Sequence, residues 1–370
     1  MLKKLLIILI FLQTVSTYSK EETKQNLDTK ENSDTKQNSD TKQNSATKEN
    51  SETKQDQTRY FYINFQTAYY PPHALGTSNS KFSPSFITPK FKSVDPNKQI
   101  EPSSWGSAKL ISHFGIHKFL PLKNNPDSIF FKNNGVDFDI NIGLSPILAL
   151  SHAKIGLTPI SFLNIYTESE FGIGWEAFGF KGIGVHLGNG KYSSKPELYY
   201  EFITGGRLQF DLNSILDGEW THVITVVGNN ITLRYNPHAN NNQLWKYKAD
   251  EGKNINGTIV NPYALLAYQM PIPLNLVGFL YEGQTYIGDA RYVSTMKDKG
   301  WGSDFFYHNF SLIAKIQVIE NLTLDVLFKF STAPSYTENT VGLADITKKV
   351  STNNSYVYYD SIGLSLTYKI

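Results

Sequence analysis

A strict two-residue alternation between apolar and polar side chains limits this chain to sheet. Between Val136 and Ser145, one parity carries Val136, Phe138, Ile140, Ile142 and Leu144, and the other carries Asp137, Asp139, Asn141, Gly143 and Ser145. Only an extended strand separates those two sets, because its successive side chains point to opposite faces. Tyr60 to Tyr70 repeats the pattern, with Phe61, Ile63, Phe65 and Tyr69 against Tyr62, Asn64 and Gln66. So does Tyr199 to Leu212, where Tyr200, Phe202, Leu208, Phe210 and Leu212 oppose Glu201, Arg207, Gln209 and Asp211.

Pairs of such segments read as hairpins. Phe310, Leu312, Ala314, Ile316 and Val318 lead to a turn at Glu320 and Asn321, after which Leu322, Leu324, Val326, Phe328 and Phe330 resume on the same apolar side. A second hairpin turns at Pro271-Ile272-Pro273, where proline ends pairing without breaking a central ladder. The alternation predicts strands near 60–70, 107–119, 135–144, 147–157, 160–175, 197–211, 219–235, 258–270, 274–287, 305–319, 321–332 and 356–370. A further strand at 84–93, with a split of 160–187, would raise the count from about twelve to about fourteen, and both are even. The expected fold is all-β and antiparallel, with about twelve strands in a range of ten to fourteen.

Turns near 212–218, 271–273 and 320–321 are short, whereas the links 236–257, 288–304 and 333–355 are long and polar. Short turns on one rim and long loops on the other are the arrangement of a transmembrane β-barrel, and strands of this length cross a bilayer when tilted. A soluble β-sandwich would alternate in the same way. The last strand separates the two. Ser361, Gly363, Leu366 and Tyr368 stand in the order polar, glycine, hydrophobic, aromatic. This resembles the C-terminal assembly signal of bacterial outer-membrane β-barrel proteins, although two residues follow the aromatic. The resemblance implies residence in the bacterial outer membrane, contact with its lipid, and insertion by the barrel-assembly machinery; it identifies no subfamily.

The N-terminal residues are of a different kind. Lys3 and Lys4 precede an apolar run from Leu5 to Leu12, and Thr17 and Ser19 follow, which predicts an export signal over 1–19. From 20 to 58, Thr-Lys recurs at Thr23, Thr29, Thr35, Thr41, Thr47 and Thr53, with only Leu27 and Ala46 apolar. Such a hexapeptide repeat cannot offset the entropy of ordering and is expected to be a disordered, periplasmic spacer. The barrel is expected over 59–370.

Several chemistries are excluded. The chain has no cysteine, and its 35 basic and 33 acidic residues leave no bulk charge for nucleic-acid binding. The glycines at 182, 184, 188 and 190 lack the spacing of a phosphate-binding loop. His113 and His117 would lie about 13 Å apart on one strand face, too far to share a metal ion. His308, Asn309 and Ser311 cluster as in barrel hydrolases, but His308 and Ser311 point to opposite faces of a strand. No catalytic residue, metal site or cofactor is expected.

The polar parity supplies the functional expectation. Asp137, Asp139, Glu168, Glu170, Glu201, Asp211 and Asp325 face inward against Lys109, Lys154, Arg207, Lys315 and Lys329. Ionised groups at that depth must meet water or one another. A barrel of about twelve strands lies between a packed interior and an open pore, so a narrow porin-like channel for small hydrophilic solutes is expected, with these residues lining it. The alternative is a surface antigen or adhesin in which the barrel is an anchor and Trp245, Trp301 and Tyr336 are exposed contacts.

Overall fold

The structure, a computed structural model, describes residues 59–70, 82–83, 107–122, 130–131, 134–177, 180–188, 191–216, 218–248, 254–336 and 351–370. The export signal, the hexapeptide repeat and the extra strand at 84–93 lie outside these residues.

Twelve long strands form the wall: β1 (Arg59–Tyr70), β2 (Ser107–Pro121), β3 (Gly135–Ser145), β4 (Leu148–Ile160), β5 (Leu163–Gly174), β6 (Glu197–Asp211), β7 (Val223–Tyr235), β8 (Gly257–Gln269), β9 (Leu274–Ile287), β10 (Tyr307–Ile319), β11 (Leu322–Tyr336) and β12 (Ser351–Lys369). Each pairs antiparallel with its neighbour in sequence, and β12 returns to β1 in register from Tyr62↔Lys369 to Tyr69↔Ile362. That last ladder closes the sheet and rules out the sandwich. It also gives the C-terminal strand its place as the closing stave, with Ser361 and Gly363 turned inward and Leu366 and Tyr368 turned outward.

Following the chain up and down the wall separates the connections by rim. One rim carries 161–162, 212–222, 270–273 and 320–321, together with the longer link 122–134. The other carries 71–106, 175–196, 236–256, 288–306 and 337–350, together with the tight turn 146–147. At 212–222 the turn is held by Asp211, whose carboxylate accepts from the Asn213 amide at 3.1 Å.

Polarity is inverted relative to a water-soluble fold. Phe61, Ile63, Ile140, Ile142, Phe202, Leu208, Leu233, Leu266 and Leu312 are exposed on the outer surface, while Asn64, Asp139, His152, Glu168, Glu201, Lys315 and Lys329 are buried inside. A continuous apolar exterior on all twelve staves requires lipid around it. The chain is a transmembrane β-barrel of the outer-membrane type.

Two of the long loops fold onto each other. Gly184–Gly188 pairs with Lys191–Tyr192 and with Trp245–Lys246 in a small three-stranded sheet. Beside it Leu244, Ile255, Ile259, Tyr286, Ala290 and Trp301 make an apolar cluster that joins 236–256 to 288–306. Trp245 and Trp301, expected as exposed contacts, are therefore buried, at 0% and 4% exposure. Large apolar side chains in a polar loop anchored the loops to each other, which strand parity could not show. The side chain of Tyr336 is not among those described.

Candidate functional site

The inner wall is built by parity. Of the residues expected to line it, Asp137, Asp139, Lys154, Glu168, Glu170, Glu201, Arg207, Lys315, Asp325 and Lys329 are all buried with less than a tenth of their surface exposed. Asp211 sits at the short-turn rim, partly exposed, with His222 Nδ1 2.7 Å from its carboxylate. Lys109 lies over the Tyr70 ring at 5.3 Å.

Much of the wall is linked by hydrogen bonds, an ion pair and a cation–ring contact. Tyr62 on β1 donates to Asp139 on β3 at 2.8 Å, and the Asn141 amide donates to Asp139 at 3.1 Å and to His152 Nδ1 on β4 at 3.2 Å. His152 then carries its proton on Nε2, which faces Glu168 on β5 at 3.4 Å. His113 Nδ1 on β2 donates to the Asn141 carbonyl at 3.1 Å. Lys154 pairs with Glu168 at 3.4 Å and lies over the Tyr166 ring at 4.6 Å. Tyr166 in turn bonds Asn230 on β7 and Tyr263 on β8.

Four inward tyrosines lie flat because the opposite residue is glycine. Tyr62 pairs with Gly115, Tyr199 with Gly172, Tyr166 with Gly205 and Tyr263 with Gly228, each directly across a strand boundary. A Cβ at Gly115 would fall 2.3 Å from the Tyr62 ring, and one at Gly172 would fall 2.2 Å from Tyr199. At Gly205 and Gly228 the nearest ring atoms would be 2.9 and 2.5 Å away. The rings therefore cover bare backbone instead of crossing the interior.

A cluster of charges sits toward the long-loop end. Glu170 and Glu201 face each other across β5 and β6, a like-charge pair that needs cations. Arg234 on β7 supplies one, its Nε 3.2 Å from Glu201, while its Nη1 donates to Asn254 at 2.6 Å. The other comes from the loop 236–256. Lys248 Nζ lies 2.5 Å from Glu170, with the side chain 1% exposed. Glu170 also accepts from Tyr199 at 2.6 Å, and the loop's Tyr247 sits under the Arg234 guanidinium at 4.1 Å and edge-on to Tyr199 at 5.0 Å.

Lys248 stands in the loop between β7 and β8 and reaches Glu170 on β5, and thus spans from that loop to the wall. Burial pulls its ammonium below the ordinary lysine range, and Glu170 pulls it back. Its backbone is in the left-handed region at φ 49°.

Toward the other end, Lys315 and Asp325 are directly opposed on β10 and β11, 3.7 Å apart and at most 4% exposed. Replacing Lys315 by Met should cost about 3–5 kcal/mol by leaving Asp325 uncompensated, and Lys315→Met with Asp325→Leu should recover most of it. Urea midpoints of refolded protein check this. Ser311 is buried in the lumen, whereas His308 bonds Tyr281 at 3.0 Å beside the Phe306 ring, so no nucleophile–base pair forms there.

Arg234 and Glu282 are inward charges outside the expected set, although Arg234 shares a parity with Asn230 and Thr232. Nothing in the sequence distinguishes Lys248 from other loop lysines.

No family model matches the sequence, and no curated protein matches it. Among solved structures, the outer membrane channel DcaP of Acinetobacter baumannii aligns over 84% of this chain and 96% of its own, at 9% identity and a TM-score of 0.35. OmpT of Vibrio cholerae aligns over 84% and 97%, at 9% identity and a TM-score of 0.32. OprB of Pseudomonas putida aligns over 84% and 93%, at 6% identity and a TM-score of 0.30. At these similarities the barrel assignment rests on this chain's own closure and polarity.

Proposed function

We propose that this barrel is a narrow channel for small hydrophilic solutes in the bacterial outer membrane, constricted by the loop 236–256 through Lys248. The observation that carries the reading is the inner wall. Its ionised groups face inward as opposed pairs, and four tyrosines lie along the wall over glycines instead of reaching inward, an arrangement that supports a hydrated path in a barrel of intermediate strand number. Asp137, Asp139, Lys154, Glu168, Glu170, Glu201, Arg207, Lys315, Asp325 and Lys329 would line that path, with Asp211 at its short-turn mouth. The barrel-assembly machinery would insert it through the closing strand Ser351–Lys369.

The near balance of acids and bases predicts little choice between ions of opposite sign. Refolded protein in a planar bilayer should give small, discrete conductance steps with a cation-to-anion permeability ratio within about threefold of unity. A barrel shown intact by heat-modifiable migration but silent in the bilayer would overturn the reading. Adhesion by the loops has lost Trp245 and Trp301 as surface contacts.

A further inference from the structure

The outward surface of the twelve staves holds almost no charge. Every ionised residue on these strands is buried or half-buried except Arg59 on β1 and Lys118 on β2. Those two stand directly opposite one another in the β1–β2 ladder, so they share a face at the short-turn rim. Two like charges in that position repel unless an anion lies between them. Among the described residues neither makes an ion pair.

Their surroundings say what kind of anion fits. Going up the same outward face, the next opposed residues are Phe61 and Ile116, then Ile63 and Phe114. Phe61 and Phe114 are 51% and 48% exposed, and the Arg59 guanidinium sits 5.3 Å from the Phe61 ring centre. Lys118 is also bounded by Leu120 on its own strand and by Phe138 across the β3 ladder. A cation set among lipid-facing side chains is stable where its head reaches a headgroup phosphate and its stem lies along apolar surface.

We propose that Arg59 and Lys118 form a site for one anionic phospholipid of the short-turn leaflet. The guanidinium and ammonium would clasp its phosphate, and its acyl chains would lie along Phe61, Ile63, Phe114 and Ile116. The site depends on the barrel's membrane placement and not on conduction, so failure of the channel reading leaves it standing.

Native mass spectrometry of the full chain tests it, after exposure to equimolar phosphatidylglycerol and phosphatidylcholine. Wild-type protein should retain phosphatidylglycerol about tenfold over phosphatidylcholine, and Arg59→Gln with Lys118→Gln should bring the ratio near unity. Millimolar inorganic phosphate should not displace the bound lipid. Equal retention of the two lipids, an unchanged ratio in the double variant, or displacement by free phosphate would each overturn the proposal. Should the double variant fail to show heat-modifiable migration, Lys118→Gln alone is read. A drop of about threefold supports the site, and no drop refutes it.

Discussion

Reversing the charge of Lys248 should open the barrel. Lys248→Glu places a third carboxylate beside Glu170 and Glu201, which already face each other across β5 and β6. Breaking a buried pair of this kind costs about 3–5 kcal/mol, which shifts the balance between the docked and released positions of residues 247 and 248 by at least about a hundredfold. Tyr247 has to leave with it, because it is held by Arg234 and Tyr199 only while the loop is seated. Single-channel conductance should rise several-fold, and proteolysis next to position 248 should become faster, while the strands and the loop segment anchored through Leu244, Trp245 and Ile255 stay protected. Combining Lys248→Glu with Glu170→Lys should restore much of the low conductance by re-forming the pair in reverse. A rise in the single variant that the double variant does not reverse would mean that the Lys248–Glu170 pair is not what keeps the lumen narrowed there.

The second large effect is expected at a glycine. Gly172→Val puts a side chain where the Tyr199 ring lies, with the first added carbon 2.2 Å from a ring atom and 2.6 Å from the next. The ring must swing into the lumen and release Glu170, to which it donates at 2.6 Å. Overpacking of this kind costs about 1–3 kcal/mol, and the displaced ring should also cut conductance well below that of the wild type. Tyr199→Ala removes the obstacle, so adding Gly172→Val to that background should cost much less than it does alone. Denaturant midpoints for the four proteins of this cycle give the coupling. Independent effects would show that the ring does not rest on Gly172.

Much of this was legible in the sequence, for a physical reason. The strand period is two, so Val136–Ser145 or Phe310–Phe330 declares both its conformation and its inward parity without reference to any other segment. The twelve strands and most of the inward acids follow from that local rule, whereas the rims alternate only in part, since the long link 122–134 shares a rim with the short turns and the tight turn 146–147 lies on the other. What stayed hidden depends on relations between segments. That Tyr199 meets Gly172 and Tyr263 meets Gly228 is fixed by the stagger between strands, which one strand's pattern does not contain. The loops were hidden for a related reason. Trp245 and Trp301 look like surface aromatics until 180–192, 236–256 and 288–306 are seen to bury one another, and Lys248 gains its role only from reaching Glu170.

The absence of cysteine makes the central claim directly testable. Single cysteines placed at Asp137, Phe138, Asp139, Ile140, Asn141 and Ile142 on β3 can be exposed to a charged, membrane-impermeant thiol reagent while current is recorded. Water is predicted on one side of this strand and lipid on the other. The cysteines at 137, 139 and 141 should react and change the current, and those at 138, 140 and 142 should stay silent. Reaction at 138, 140 and 142, or a uniform response along the strand, would contradict a lipid-embedded barrel with a hydrated lumen.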